Sequence, residues 1–200
     1  MKKTLLIQAL FFCFFIANGQ NKMTVTFRDG TQKTDVYSIR TGTFSNSSSS
    51  TKLVSRNPTV KIPLEDFASV LVYDEDKELQ YVVIDVKTNF NDRKSEKKLG
   101  LLVYSGSKMS VYYVAETISS GGSFGVSFNS DSFETYVKKN KEDIAYNMGY
   151  IYGAGPRGIK KRVRDYFADC PALIENVDND TFEKTKTIEM VEFYEKNCGL

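Results

Sequence analysis

Histidine and tryptophan are absent from the 200 residues, and cysteine and proline are scarce at three and four. Without histidine there is no Ser-His-Asp or Cys-His nucleophile system, no imidazole metal ligand and no imidazole pH switch. Without tryptophan, aromatic packing falls to 12 tyrosines and 14 phenylalanines. An excess of one charge sign is missing too: 27 Lys+Arg face 25 Asp+Glu. Global charge therefore gives no reason to expect nucleic acid or an anionic membrane as partner. Charged residues at 26% and hydrophobic ones at 41% are the proportions of an ordinary folded chain.

The beginning of the chain has the three-part layout of a secretory signal peptide. Met1-Lys2-Lys3 is basic, Leu5 to Ile16 is apolar apart from Gln8, and Ala17-Asn18-Gly19 supplies small residues before a cut at Gln20. The apolar run is shorter than the ~20 residues of a spanning helix. The expected division is a signal peptide at 1–19 and one exported domain at 20–200. Removing Lys2 and Lys3 from the 27 basic residues brings them level with the 25 acidic ones. No integral membrane span is expected after cleavage. The destination is the periplasm, the outer-membrane surface or the medium.

Cys13 leaves with the signal, so Cys170 and Cys198 have one possible internal pairing. An oxidising compartment permits it. The alternative is two separate thiols; the position of both cysteines on apolar helix faces favours the bridge. Closing that loop stabilises by about 3.6 kcal/mol in the chain-entropy model.

The periodicity changes once along the chain. From Met23 to about residue 150 it is that of strands. Met23–Arg28 ends in Asp29-Gly30, a hairpin turn, and a second strand follows at Lys33–Arg40. Residues 41–59, with Ser47 to Ser50, read as a flexible serine-rich loop. Strands are expected at Phe67–Tyr73, Leu79–Val86, Leu99–Tyr104, Met109–Ala115 and Phe124–Phe128, the second of them buried on both faces. Residues 133–148 fit a helix through Asp131 and Glu134, or two short strands through their aromatic and β-branched content; strands are preferred. From Pro156 the period is helical. Ile159, Val163, Tyr166, Phe167 and Cys170 share a face, Asp169-Cys170-Pro171 reads as an N-cap and a first-turn proline starting a second helix through Val177, and a third runs from Thr187 to Asn197. The expected fold is α+β: an antiparallel β-rich body at 20–150 (roll, sandwich or partly open barrel) with a helical end-piece at 156–200 packed on it.

Gly153-Ala154-Gly155-Pro156-Arg157-Gly158 matches G-x-G-x-x-G, but the βαβ succession that gives the pattern its meaning is missing and Pro156 removes a donor. A glycine-rich turn before a helix is the plainer reading, and neither a cofactor nor a metal site is expected. Arg157, Lys160, Lys161 and Arg164 form a stripe opposite the apolar face of that helix. It is either a solvated face or an anion site for a lipid headgroup, a glycan carboxylate or an acidic patch. Asp66, Asp85, Asp92, Glu116 and Asp131 lie near strand ends, where a pair could serve a histidine-free hydrolase, although turn formation is their commoner use. Asp74 to Glu78 is better suited to a charged turn than to calcium. Tyr104, Tyr112 and Tyr113 line adjacent strands as core or as a ligand face.

In Tyr166-Phe167-Ala168-Asp169-Cys170-Pro171-Ala172-Leu173, followed by Phe182, Ile188, Val191, Tyr194 and Cys198, the chain resembles a group of uncharacterised exported proteins of Bacteroidota-type bacteria. They share a signal peptide, a β-rich body, a Tyr-Phe-x-Asp-Cys-Pro segment and a closing cysteine-containing helix. The resemblance implies export and architecture and carries over no functional residue. The function expected is a non-catalytic binding or structural module of the cell envelope, with an envelope protein, lipid or glycan as partner. The alternatives are a carboxylate-dependent hydrolase or lyase on polymers, and an anion or headgroup binder using the basic stripe.

Overall fold

A computed structural model describes residues 21–40, 51–56, 58–74, 77–115, 118–119, 127–128, 133–150, 158–182 and 186–198. The expected signal peptide, the tetraserine run and the glycine-rich segment at 153–157 lie outside the described residues. The fold is α+β. Its strands are β1 (Asn21–Phe27), β2 (Gln32–Arg40), β3 (Lys52–Arg56), β4 (Thr59–Pro63), β5 (Phe67–Asp74), β6 (Lys77–Lys87), β7 (Glu96–Ser105), β8 (Met109–Ala115), β9 (Ile118–Ser119), β10 (Ser127–Phe128), β11 (Phe133–Lys139) and β12 (Ile144–Tyr150). Three helices follow: α1 (Ile159–Tyr166), α2 (Pro171–Asp178) and α3 (Thr187–Asn197).

Ten strands form one sheet in the order β12-β11-β8-β7-β6-β5-β1-β2-β3-β4, and β12 also pairs with β6. The length of β6 makes this possible. Lys77–Val82 pairs antiparallel with β5, and Asp85–Lys87 pairs parallel with Ile144–Tyr146 of β12. Strands β6, β7, β8, β11 and β12 thus close into a five-stranded barrel, while β5-β1-β2-β3-β4 leaves β6 as an open wing. An odd number of strands joined as successive antiparallel neighbours returns to the first in the same direction, so the closing ladder has to be parallel. Of the shapes left open by the sequence, the body takes the barrel, closed and extended by the wing.

Alternation of side chains across each barrel strand creates three cores. Ile84, Val86, Tyr112, Val114, Tyr136 and Ala145, with Val82 and Leu102, fill the barrel interior. Gly100 belongs there as well: a Cβ on it would sit 3.1 Å from both Ile84 Cδ1 and Tyr112 Cβ. On one outer side Tyr81, Leu99 and Ala115 pack with Met23, Val25, Ile39, Leu53 and Phe67 of the wing. On the other, Met109, Val111, Val137 and Met148 pack with all three helices. Strand β6 is therefore buried on both faces, as its consecutive apolar residues predict.

Residues 133–148 form two strands, because Tyr136 and Val137 are both buried on opposite faces of one sheet, which a single helix face cannot achieve. Part of the segment expected as a serine-rich loop is strand. Within 41–59, Lys52–Arg56 is a strand paired on both sides, with Leu53 and Val54 buried. Two apolar residues among polar ones carry little periodic signal; the partners on either side supply the rest. The first helix also stops earlier than its face suggests. Phe167 N–H closes on the Val163 carbonyl, and Cys170 stands as the N-cap residue of α2 with Pro171 in its first turn. Asp169, expected to cap, points elsewhere.

Candidate functional site

The helices are locked to one end of the barrel, and the locks determine where a groove remains. The turns after β7 and β11 are joined first: Asn140 N–H donates to the Lys108 carbonyl at 2.7 Å, and Asn140 Nδ2 to the Gly106 carbonyl at 3.0 Å. Glu195 of α3 then grips the β7–β8 turn. Its carboxylate accepts from Ser107 N and Oγ (both 3.0 Å), Lys108 N (2.9 Å) and Met109 N (2.8 Å). Lys108 Nζ returns to the carbonyls of Glu195 and Cys198. Burial alone would raise the Glu195 carboxyl, but these donors outweigh it and hold it below the usual glutamate range.

A second lock uses Lys139 at the end of β11. Its ammonium is 3.1 Å from both Asp169 carboxylate oxygens and lies over the rings of Tyr166 and Tyr194 at 5.1 and 5.3 Å. Tyr194 donates to Asp169 at 2.6 Å, and Tyr166 donates to Glu142 at 2.9 Å while accepting from Lys139 N. Burial would raise Asp169, yet the bonds from Tyr194 and Lys139 leave it below its ordinary value. The disulfide Cys170–Cys198 joins the start of α2 to the end of α3, with Cα atoms 5.6 Å apart.

At the other end of β12 the parallel ladder to β6 stops at Tyr146–Lys87, and the two strands diverge. Arg162 of α1 bridges the divergence: its Nη1 donates to the Thr88 carbonyl at 2.6 Å and the Asn147 carbonyl at 2.8 Å. Beside it lies a groove of about 330 Å³ between α1, β12 and the loop after β6. Phe90 on that loop is 45% exposed. Its ring lies 5.0 Å from Tyr146, which lies 5.0 Å from Tyr166. Asn89 and Asn91 flank the phenylalanine, and Lys161, Arg162 and Asp165 form the helix wall. The loop is held in shape by its own bonds: Asn89 N donates to Asp92 Oδ2 at 2.8 Å, and Asp92 N to the Asn89 carbonyl at 3.1 Å.

Under the groove, at one end of the barrel interior, is a buried polar cluster. Glu134 accepts from Lys98 Nζ (3.0 Å), Tyr136 OH (2.9 Å) and Asn147 Nδ2 (2.9 Å), and Asn147 Oδ1 accepts from Gly149 N. The side chains of Lys98 and Glu134 are only 14% and 11% exposed. Burial alone would lower the Lys98 ammonium; Tyr136 and Glu134 reverse this and hold it above the usual lysine range. Each member has its partners, and Tyr136 is fully buried. The cluster suits the fixing of strand register better than chemistry on a ligand.

The sequence candidates are distributed otherwise. Lys160 pairs with Asp180 at 2.9 Å, Lys161 with Asp165, and Arg164 with Asp178 at 2.7 Å. The stripe is thus interleaved with carboxylates of α1 and the end of α2; Arg157 lies outside the described residues. Asp85 binds Lys97 at 2.7 Å and Asp92 closes its own loop, so these two serve local partners; Glu116 and Asp131 lie outside the described residues. Tyr112 fills the barrel, while Tyr104 and Tyr113 pack with the helices. The groove residues absent from the candidates read from the sequence are Phe90, Tyr146 and Arg162, the last of them a member of the basic run on α1 that lies off the stripe. One signal was available, Asn89-Phe90-Asn91, a large apolar residue bracketed by turn-forming amides. Searches of known protein families, curated proteins and solved structures find no match to this chain.

Proposed function

We propose that the chain is an exported, non-catalytic binding module of the bacterial cell envelope, with its ligand in the groove between α1, β12 and the loop after β6. The observation that carries this reading is Phe90. A phenylalanine left 45% exposed on a loop braced by its own hydrogen bonds, with Tyr146 against its ring, is a preformed contact surface. The signal-like first 19 residues, the disulfide and the resemblance of the C-terminal segment all favour an exported setting. The groove's titratable groups are poorly suited to acid–base chemistry. Burial and the nearby Glu142 push the Tyr166 hydroxyl far above its usual range, so it stays protonated, and it is already bonded on both sides. Lys161 and Asp165 neutralise each other.

The test is association of the native protein with envelope material. The mature protein is expected to begin at Gln20 and to co-sediment with insoluble envelope from its source cells, and Phe90→Ala, with an unchanged melting temperature, is expected to release it. A protein retained in the cytosol with Met1 in place, or envelope association indifferent to Phe90, would overturn the proposal.

A further inference from the structure

We infer that the groove recognises a short oligosaccharide bearing a carboxylate, one sugar ring lying on Phe90 and its carboxylate directed at Arg162 and Lys161. This rests on the groove being the binding site and names its ligand class. A pyranose offers an apolar C–H face and a rim of hydroxyls. The groove offers the matching pair: an exposed aromatic face in Phe90, and side-chain amides on either side of it in Asn89 and Asn91. Charge selects among sugars. Lys161 is offset by Asp165, but Arg162 is bonded to two carbonyl oxygens and, among the described residues, to no carboxylate. A guanidinium held in place by two backbone acceptors leaves the side chains lining the groove, Lys161 and Arg162 against Asp165, with one positive charge in excess, complementary to an anion.

A peptide with an acidic end would share the charge but lacks a place to dock. Extended peptides gain much of their affinity by adding to a strand edge. Here β12 is paired with β11 on one side and with β6 on the other, and where the second ladder ends Arg162 occupies the Thr88 and Asn147 carbonyls.

Calorimetric titration of the full mature chain separates these cases. The probes are uronic-acid oligosaccharides, muramic-acid glycan strands, neutral oligomers of the same length and an acidic peptide. Binding of a carboxylated saccharide is expected to weaken as salt rises. Phe90→Ala is expected to weaken it about tenfold, and Lys161→Gln by a smaller factor, both with unchanged melting temperature. The first two probes distinguish an environmental polysaccharide from wall glycan as the source. Neutral and acidic sugars binding equally, a carboxylated sugar binding that ignores Phe90, or binding of the peptide alone would overturn the inference. So would Phe90-dependent envelope association with no saccharide bound, an outcome that leaves the binding-module reading standing.

Discussion

Glu195 illustrates how much one side chain does here. A carboxylate on a helix satisfies four donors of a hairpin turn that would otherwise be solvated one by one. Hydrogen bonds to a charged acceptor contribute about 1.5–3 kcal/mol, more than a surface ion pair at roughly 0–1 kcal/mol. Glu195→Gln, which turns an amide NH2 towards backbone N–H groups, is therefore expected to destabilise in that larger range. Gly106 should reproduce the effect, because a Cβ there would overlap the Glu195 carboxylate. Gly106→Ala displaces it without touching the charge, and the two changes combined should cost little more than either alone. The pH dependence has a definite sign. Glu195 is held below its ordinary value of 4.5, so its stabilisation is present above that pH and is lost as pH falls through the lowered value. Urea unfolding midpoints between pH 7 and pH 3 should converge for wild type and Glu195→Gln at the acid end. Parallel curves across that range would rule out the clamp as the cause.

At the scale of elements, the helices matter through how they are tied. Helix α2 spans eight residues and α1 eight, too short to persist alone, so their helicity is tertiary in origin. Cys170–Cys198 ties the start of α2 to the end of α3 across 28 residues. Replacing both cysteines with alanine is expected to cost about 3–4 kcal/mol and to lower the melting temperature by about 6–16 °C for a chain of this size. Reducing agent should do the same to wild type and nothing to the variant. Amide exchange should quicken first in α3, where the tether ends; unchanged exchange there would mean that Glu195 and Lys108 hold the helix unaided. These helices were legible because Ile159, Val163 and Tyr166, and Val191 and Tyr194, keep a strict helical spacing over positions that all turned out buried. Strand β3 was not, because Leu53 and Val54 acquire meaning only from β2 and β4 on either side. Asp169 misled for a related reason: a residue that suits a cap was taken by Tyr194 and Lys139 from other parts of the chain.

For the whole molecule, closure is what the sequence conceals. The consecutive apolar residues of β6 show that both faces are buried, but not that its two halves have different neighbours on one edge, β5 and then β12. The groove is a consequence of that divergence, and so Phe90, Tyr146 and Arg162, separated along the chain, carried no common pattern. Closure also decides what each core depends on. The barrel interior is small and part polar at one end, with Lys98 and Glu134 inside it. Its outer face of Met109, Val111, Val137 and Met148 is covered only by the helices among the described residues. Exposing four such side chains costs about 1.5–3 kcal/mol each, roughly 6–12 kcal/mol in sum against a typical total stability of 5–15 kcal/mol. A chain ended after Tyr150 is therefore expected to lose cooperative unfolding, bind a hydrophobic dye and give a weak near-ultraviolet dichroism signal despite retained strand content. A sharp thermal transition in that truncated chain would show instead that the closed barrel and its wing suffice, and that the helices serve the groove alone.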